Sequence, residues 1–331
     1  MKKTYLTFIV PIYKPSKSID AIFHNIIKQK DQNFNIVLTI DRPSEEDYES
    51  IAKVKKFFKN RIQIIINNSH QNINLVIKQA LEFIKTEYSY IFYSYIHLKS
   101  EFTLRINAFL EKEFSPDFIE MTGYCRGLTK HSCLKDKFIE NKVINLNSNK
   151  NPVAFISPYS FNFITKTEIL KSIYKPILKF KNNNLQYSVE TKFKSILLSN
   201  TFAYFSETWI EDWNEELIVL NPKNLINDWD NIISFAKSLK TDSINELLFA
   251  KKLNLEYFLA GYLGSIKSKK NTSEDRSIKL MKKNLLNFIK NMNKTLDDKI
   301  INLYFDKFNI KWKFDINDIS TWSYLFKELI W

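Results

Sequence analysis

Residues 5–44 read YLTFIVPIYKPSKSIDAIFHNIIKQKDQNFNIVLTIDRPS, and two periodicities alternate within them. Tyr5 to Val10 is a short apolar run rich in β-formers, ended by Pro11. From Ser18 to Lys30, residues Ile19, Ile22, Phe23, Ile26 and Ile27 fall on one face, the pattern of an amphipathic helix. Phe34 to Ile40 is a second β-run, closed by Asp41-Arg42-Pro43-Ser44. Strand, helix, strand with short connections predicts a parallel pair joined by a right-handed crossover.

The pattern continues outward. Ser44 opens a helical stretch with Glu45 and Glu46 in its first turn, where acids suit the helix dipole. Arg61 to Asn67 predicts a third strand, and Asn74 to Lys85 a helix with Leu75, Ile77, Ala80, Leu81 and Ile84 as its apolar positions. Tyr88 to Leu98, almost wholly apolar or aromatic, predicts a central strand covered on both faces. The expected class is α/β, a mostly parallel sheet flanked by helices. Ligands in such sheets sit at the carboxyl ends of strands, which directs attention to the loops after Val10, Ile40 and Tyr95. Residues 115–158 are less regular. Val153 to Ser157 reads as a strand, Lys166 to Tyr174 and Ser188 to Ser199 as helices, and Ala203 to Ser206 as a last strand. Beyond Asn221-Pro222 come long helices at Leu225–Leu239, Ser243–Leu263 and Arg276–Lys290. The expected division is residues 1–214 followed by a C-terminal α-helical domain, residues 215–331.

Composition narrows the function classes. A 331-residue chain with 44% hydrophobic residues can bury a sizeable core. Its net charge of +13 favours anionic partners, among them phosphorylated small molecules and an anionic membrane surface. Nucleic acid is not expected, because no nucleic-acid module is recognisable. With only four glycines, neither a dinucleotide fingerprint nor a Walker A loop can be built. Two cysteines, Cys125 and Cys133, make no disulfide framework. The C-x5-H-x-C grouping of Cys125, His131 and Cys133 lacks a fourth ligand for zinc. No apolar run approaches the ~18 residues that span a bilayer, so a cytoplasmic protein is expected, with a peripheral place on the inner membrane face as an extension. The C-terminal helices carry lysines opposite an apolar stripe, read first as a bundle's solvated face and second as a lipid-facing one. Trp312, Phe314, Trp322, Tyr324 and Trp331 are expected to pack within the chain, with an oligomer through these helices as the alternative.

Over residues 5–210 the order of elements resembles family 2 glycosyltransferases of the GT-A fold. Phe8-Ile9-Val10-Pro11-Ile12-Tyr13 is similar to that family's opening "IIPVYN", and the helix ending in Gln29 to its "SILxQ". The segment Asn33 to Ser44 resembles "xFEIIIVDDGS", and Ala80-Leu81 through Tyr90-Ile91 the passage "NxGLxxAxGEYIxFLD". The resemblance implies a nucleotide-diphospho-sugar donor, inversion at the anomeric carbon, and a glycan or lipid-linked acceptor of the cell envelope.

Residue by residue, it places Asp41 on the nucleotide, a role that suits a carboxylate facing imide N–H or hydroxyl donors. Read alone, Asp41 would also start the turn and cap the following helix. Arg42 and Pro43 stand where the family has its second acid and its glycine. The metal-binding DxD is replaced by Tyr93-Ser94-Tyr95, with His97 beyond and no acid before Glu101. Hard oxygen ligands for Mg²⁺ or Mn²⁺ are therefore missing at the expected place. Arg42, Lys78, Lys99 and Arg105 are the cations that would stand in. The residues expected around the nucleotide sugar are Pro11, Tyr13, Asp41, Arg42, Lys78, Tyr95 and His97. For the general base, Glu190 matches the Glu of the family's "ED" pair while Thr191 replaces its Asp; Asp212, in Glu211-Asp212, is the second candidate. Glu190 reads equally as an acid favoured at a helix N-terminus. The rival to an active enzyme is a GT-A-like protein that has lost catalysis and serves as a binding or scaffolding partner.

Overall fold

A computed structural model describes residues 3–13, 18–112, 115–126, 131–132, 138–140, 142–175, 189–213, 222–266, 271–293, 298–307 and 315–327. The first half alternates as its sequence predicts: β1 (Leu6–Tyr13), α1 (Ile19–Ile27), β2 (Asn35–Asp41), α2 (Glu45–Phe58), β3 (Ile62–Asn67), α3 (Ile73–Glu82) and β4 (Tyr88–Ile91). Ser44 caps α2 through a reciprocal box: its hydroxyl accepts the Asp47 N–H at 3.2 Å, and the Asp47 carboxylate accepts the Ser44 N–H at 2.7 Å. Then follow β5 (Ile96–Leu98), α4 (Phe102–Glu111), β6 (Phe118–Cys125), the two-residue strands β7 (His131–Ser132) and β8 (Ile144–Asn145), α5 (Asn151–Phe155), β9 (Phe163–Lys166), α6 (Thr167–Tyr174), α7 (Glu190–Leu197) and β10 (Thr201–Asp212).

One ten-stranded sheet has the order β3-β2-β1-β4-β9-β6-β10-β5, with β7 on β6 and β8 on β10. Strands β1, β2, β3 and β4 run parallel; β9 is antiparallel to both β4 and β6, so β6, and β10 parallel to it, share the direction of β1. The carboxyl ends of six strands thus lie along one edge.

Three expectations change. The run Tyr88–Leu98 is not one strand: it breaks at a turn closed by the Ile96 N–H on the Tyr93 carbonyl at 3.0 Å, and β5 pairs antiparallel with β10. Pro11 supplies a physical cause. In a parallel ladder alternate residues bond the same neighbour, and Ile9 bonds β4 by accepting the Phe92 N–H at 2.8 Å. Pro11 therefore faces β4 without an N–H to donate, and the ladder ends there while β1 continues along β2 to Tyr13. Pro11 does not end the strand; it ends one of its two pairings. Second, Val153 lies in helix α5, which carries a proline in its first turn, because so short an apolar run has no decisive period. Third, the irregular middle contains the eight-residue strand β6, and β9 follows at Phe163–Lys166, where no strand was expected.

The C-terminal part is helical: α8 (Pro222–Ser238), α9 (Ile244–Lys252), a π-helical stretch Leu253–Leu259, α10 (Ala260–Ser265), α11 (Ser273–Asn293), α12 (Asp298–Lys307) and a 3₁₀ segment Ile319–Lys327. It packs on the sheet region through Trp229, whose ring centroid lies 4.6 Å from that of Phe193, and through Phe258, at 5.1 Å from Tyr159. Buried apolar residues from Leu6 to Leu325 join in one core. Trp322 is fully buried, as expected for that tail aromatic, whereas Tyr324 is exposed; Trp312, Phe314 and Trp331 lie outside the described residues. No described helix is long and apolar enough to cross a membrane.

Candidate active site at the carboxyl edge of the sheet

Asp41 ends β2 and is buried at 5% exposure. Its Oδ1 accepts the Asn67 amide at 2.8 Å; its Oδ2 accepts the Gln71 backbone N–H at 2.8 Å and lies 3.2 Å from His70 Nδ1. The carboxylate thereby ties the end of β2 to the β3–α3 connection. Arg42 follows with φ of 50°, a left-handed conformation that a side chain disfavours, and its N–H bonds the Asn67 carbonyl at 2.8 Å. Tyr13, in register with Asp41, closes the same corner from β1; its side chain lies outside the described residues.

The second group surrounds the Tyr93–Ile96 turn. The Tyr93 and Tyr95 rings stack with centroids 5.5 Å apart and 9° between planes. Asp212, 1% exposed at the end of β10, pairs with Ile96, and the neighbouring Trp213 N–H bonds the Tyr95 carbonyl at 3.1 Å. The Tyr95 hydroxyl is buried against Ser160 without a well-formed hydrogen bond. Burial drives its pKa far up, and Tyr93, Asp212 and Tyr90 push in the same direction. Burial does the same to Tyr93, seconded by Tyr174, and to Tyr174, where the Thr191 hydrogen bond opposes it and Glu190 adds to it. All three phenols therefore stay protonated, as donors, throughout the neutral range.

The third group is the start of α7. Glu190 is 5% exposed; one carboxylate oxygen accepts the Lys194 ammonium and the other the Asn231 amide, at 3.1 Å, from α8. Thr191 shares a 2.8 Å hydrogen bond with Tyr174. The path from Tyr93 to Tyr174 to Thr191 joins this helix to the turn, and Asp212 joins the turn from the other side. Asp41, Tyr95, Asp212 and Glu190 thus belong to one edge of the sheet.

The other expected residues have the following partners. Lys78 donates to the Lys175 carbonyl at 3.2 Å, capping the end of α6. Arg105 lies beside Glu101 at 3.8 Å on the outer face of α4, and Lys99 is exposed. His97 packs on Trp213 at 5.4 Å, next to Glu211, which bonds both Arg126 and the Trp213 indole. Of the stand-in cations, Lys78 and Arg105 are thus engaged with Lys175 and Glu101. Tyr93, Ser94 and Tyr95 offer hydroxyls where a divalent ion needs charged oxygens, and no group of three or more His, Cys, Asp and Glu among the described residues is arranged to hold a metal. A resident Mg²⁺ or Mn²⁺ does not fit this turn. Cys125 is buried, while the side chains of His131 and Cys133 lie outside the described residues. Sequence reading missed His70, Gln71, Tyr174, Lys194 and Asn231, none of which stands in a motif.

No family model and no curated protein matches the sequence. Solved structures do match. The crystal structure of S. aureus TarS 1–349 in complex with UDP-GlcNAc aligns over 98% of this chain and 92% of its own, at 14% identity and a TM-score of 0.62. Its complex with UDP gives 0.60 at 15% identity, covering 98% and 91%. The mannosyltransferase PcManGT from Pyrobaculum calidifontis, in complex with GDP-Man and Mn2+, aligns over 98% of this chain and 85% of its own, at 10% identity and a TM-score of 0.51. A mostly parallel sheet flanked by helices, a helical C-terminal part and these neighbours together give the chain a GT-A-type fold.

Proposed function

We propose that the protein is an inverting glycosyltransferase that moves a sugar from a nucleotide-diphospho-sugar to a hydroxyl of a cell-envelope glycan or glycolipid. The observation that supports this reading is that Asp41, the Tyr93–Ile96 turn, Asp212 and Glu190 lie along the same carboxyl edge of the sheet. The fold's neighbours, captured with UDP-GlcNAc, UDP and GDP-Man, support a nucleotide-sugar donor. On this reading residues 1–214 hold donor and acceptor, and the helices of 215–331 buttress them. The positive charge suits a cytoplasmic enzyme working against an anionic membrane face.

Asp41 and its corner bind the nucleotide. The acceptor oxygen attacks the anomeric carbon as the bond to the diphosphate breaks, and the leaving nucleoside diphosphate takes the electron pair. The acceptor proton passes to Glu190, with Asp212 as the second candidate base. Glu190 already holds Lys194 and Asn231, yet a carboxylate has about four lone-pair sites, so room for a further donor remains. That same occupancy, with a turn that lacks acids, favours a second reading in which the fold is kept for binding after catalysis is lost.

Thermal unfolding with UDP-, GDP-, CDP- and CMP-sugars separates the cases, since a ligand at ~100 times its Kd adds about 2.7 kcal/mol. Turnover that falls ~100-fold or more in Glu190→Gln, with Asp212→Asn affected less, supports the assignment. Donor binding without any transfer supports the scaffold, and absence of any nucleotide-sugar shift removes both.

A further inference from the structure

Two residues beyond Glu190, the Lys192 side chain runs inward from α7 and is 0% exposed. An ammonium carries three donors, and each has an acceptor here: Glu120 Oε1 on β6 at 3.0 Å, Ser157 Oγ at 2.9 Å and Asn162 Oδ1 at 2.7 Å. The acceptors are themselves joined. Glu120 Oε1 also takes the Ser157 N–H, and the Asn162 amide donates to Ser157 Oγ at 2.9 Å and to the Met121 carbonyl.

A buried ion pair is often no more stabilising than a well-packed apolar pair, so stability is a poor account of this arrangement. Its consequence is geometric. The network fixes the first turn of α7 to the segment 157–162 and to β6. That segment carries Ser160, which abuts the Tyr95 hydroxyl, and Phe161, whose carbonyl accepts the Tyr90 hydroxyl at 2.8 Å. One end of the network therefore sets Glu190, and the other sets the wall of the Tyr93–Ile96 turn beside Asp212.

We propose that Lys192 is a positioning residue: through Glu120, Ser157 and Asn162 it fixes the separation between Glu190 and the Tyr93–Ile96 turn, and so the alignment of acceptor hydroxyl and leaving group. This inference rests on the transferase reading. It touches no part of the Asp41 corner, so it concerns turnover and not the nucleotide contact made there.

The test compares wild type, Lys192→Met and the double variant Glu120→Leu/Lys192→Met, using the nucleotide sugar that wild type turns over. Read out are the denaturation midpoint, kcat, the donor KM and the Kd for the free nucleoside diphosphate. Lys192→Met strands a buried carboxylate and loses stability, with failure to fold as its extreme. The double variant removes both charges and is expected to regain most of the wild-type midpoint, short of the Ser157 N–H that Glu120 accepts. Its kcat stays depressed by about 100-fold, the cost of an ångström-scale misplacement, while the Kd for the free nucleoside diphosphate holds. If kcat returns together with stability, or if the double variant is itself unfolded, the network is structural and the inference fails. Wild type that neither binds nor turns over any donor removes the transferase reading and this inference with it. Wild type that turns over, beside a double variant of equal kcat, removes this inference alone.

Discussion

Substituting Asp41 probes both the corner of the sheet and the proposed nucleotide contact. The carboxylate serves three groups: the Asn67 amide at 2.8 Å, the Gln71 backbone N–H at 2.8 Å and His70 Nδ1 at 3.2 Å. Asparagine keeps one accepting oxygen, so its NH2 must face either Gln71 N–H or Asn67 Nδ2. Turning the Asn67 amide relieves one conflict only by giving up its 3.3 Å bond to Gln79. With a hydrogen bond to a charged group worth about 1.5–3 kcal/mol, Asp41→Asn should cost about 2 kcal/mol and Asp41→Ala about 4. For Ala this corresponds to a Tm drop on the order of 8 °C. Chemical denaturation followed by tryptophan fluorescence measures the loss, and thermal shift with a saturating nucleoside diphosphate measures the contact. Asp41→Asn should remove most of the ligand-induced rise. An Ala variant within about 0.5 kcal/mol of wild type would refute the clamp, given the charged bonds at stake. An undiminished ligand shift in Asn would refute the nucleotide role.

Asp117 gives an acid-side prediction. Burial by itself would raise its pKa, but Lys166 and the Asn200 and Thr201 N–H groups outweigh burial and hold it below the usual carboxylate value. A depressed folded pKa means its stabilisation is full above the unfolded value of ~3.9 and is lost as pH falls through the lower folded value. Asp117→Ala should cost about 2 kcal/mol at pH 7 and flatten the stability curve below pH ~4, as read from denaturation midpoints across pH. Gly264 tests the C-terminal packing: a Cβ there would stand 2.5 Å from Ser323 N and Trp322 C, both backbone atoms with little freedom to yield. Gly264→Ala should therefore destabilise by about 3 kcal/mol, the upper end for overpacking, despite the helix propensity gained. A variant as stable as wild type would mean that the segment 319–327 does not seat on α10.

The first half of the fold was written in the chain because each element there is locally consistent. The apolar run at Phe8–Val10, the stripe at Ile19–Ile26 and the Ser44 cap each select one conformation without help from distant residues. Parallel crossovers then force Asp41 to a carboxyl end, so its place at the edge follows from sequence order alone. The same logic put Glu190 at a helix start, where α7 begins.

Local order could not reveal what depends on pairing across the chain. Strands β6 and β9 carry Glu120, Gly123 and Thr165 among their apolar residues and gain their identity from neighbours far away in sequence. The break after Phe92 follows from a proline in β1 and from β10 capturing Ile96–Leu98. Lys192 stands in no motif; contacts with Glu120, 72 residues distant, and with Ser157 and Asn162 hold it inward. Sequence alone thus determined the alternating elements and the edge where chemistry is proposed, because short-range periodicity and capping act within one segment. Tertiary structure alone decided which polar groups meet there, because a buried charge is tolerated only where distant residues bring it partners.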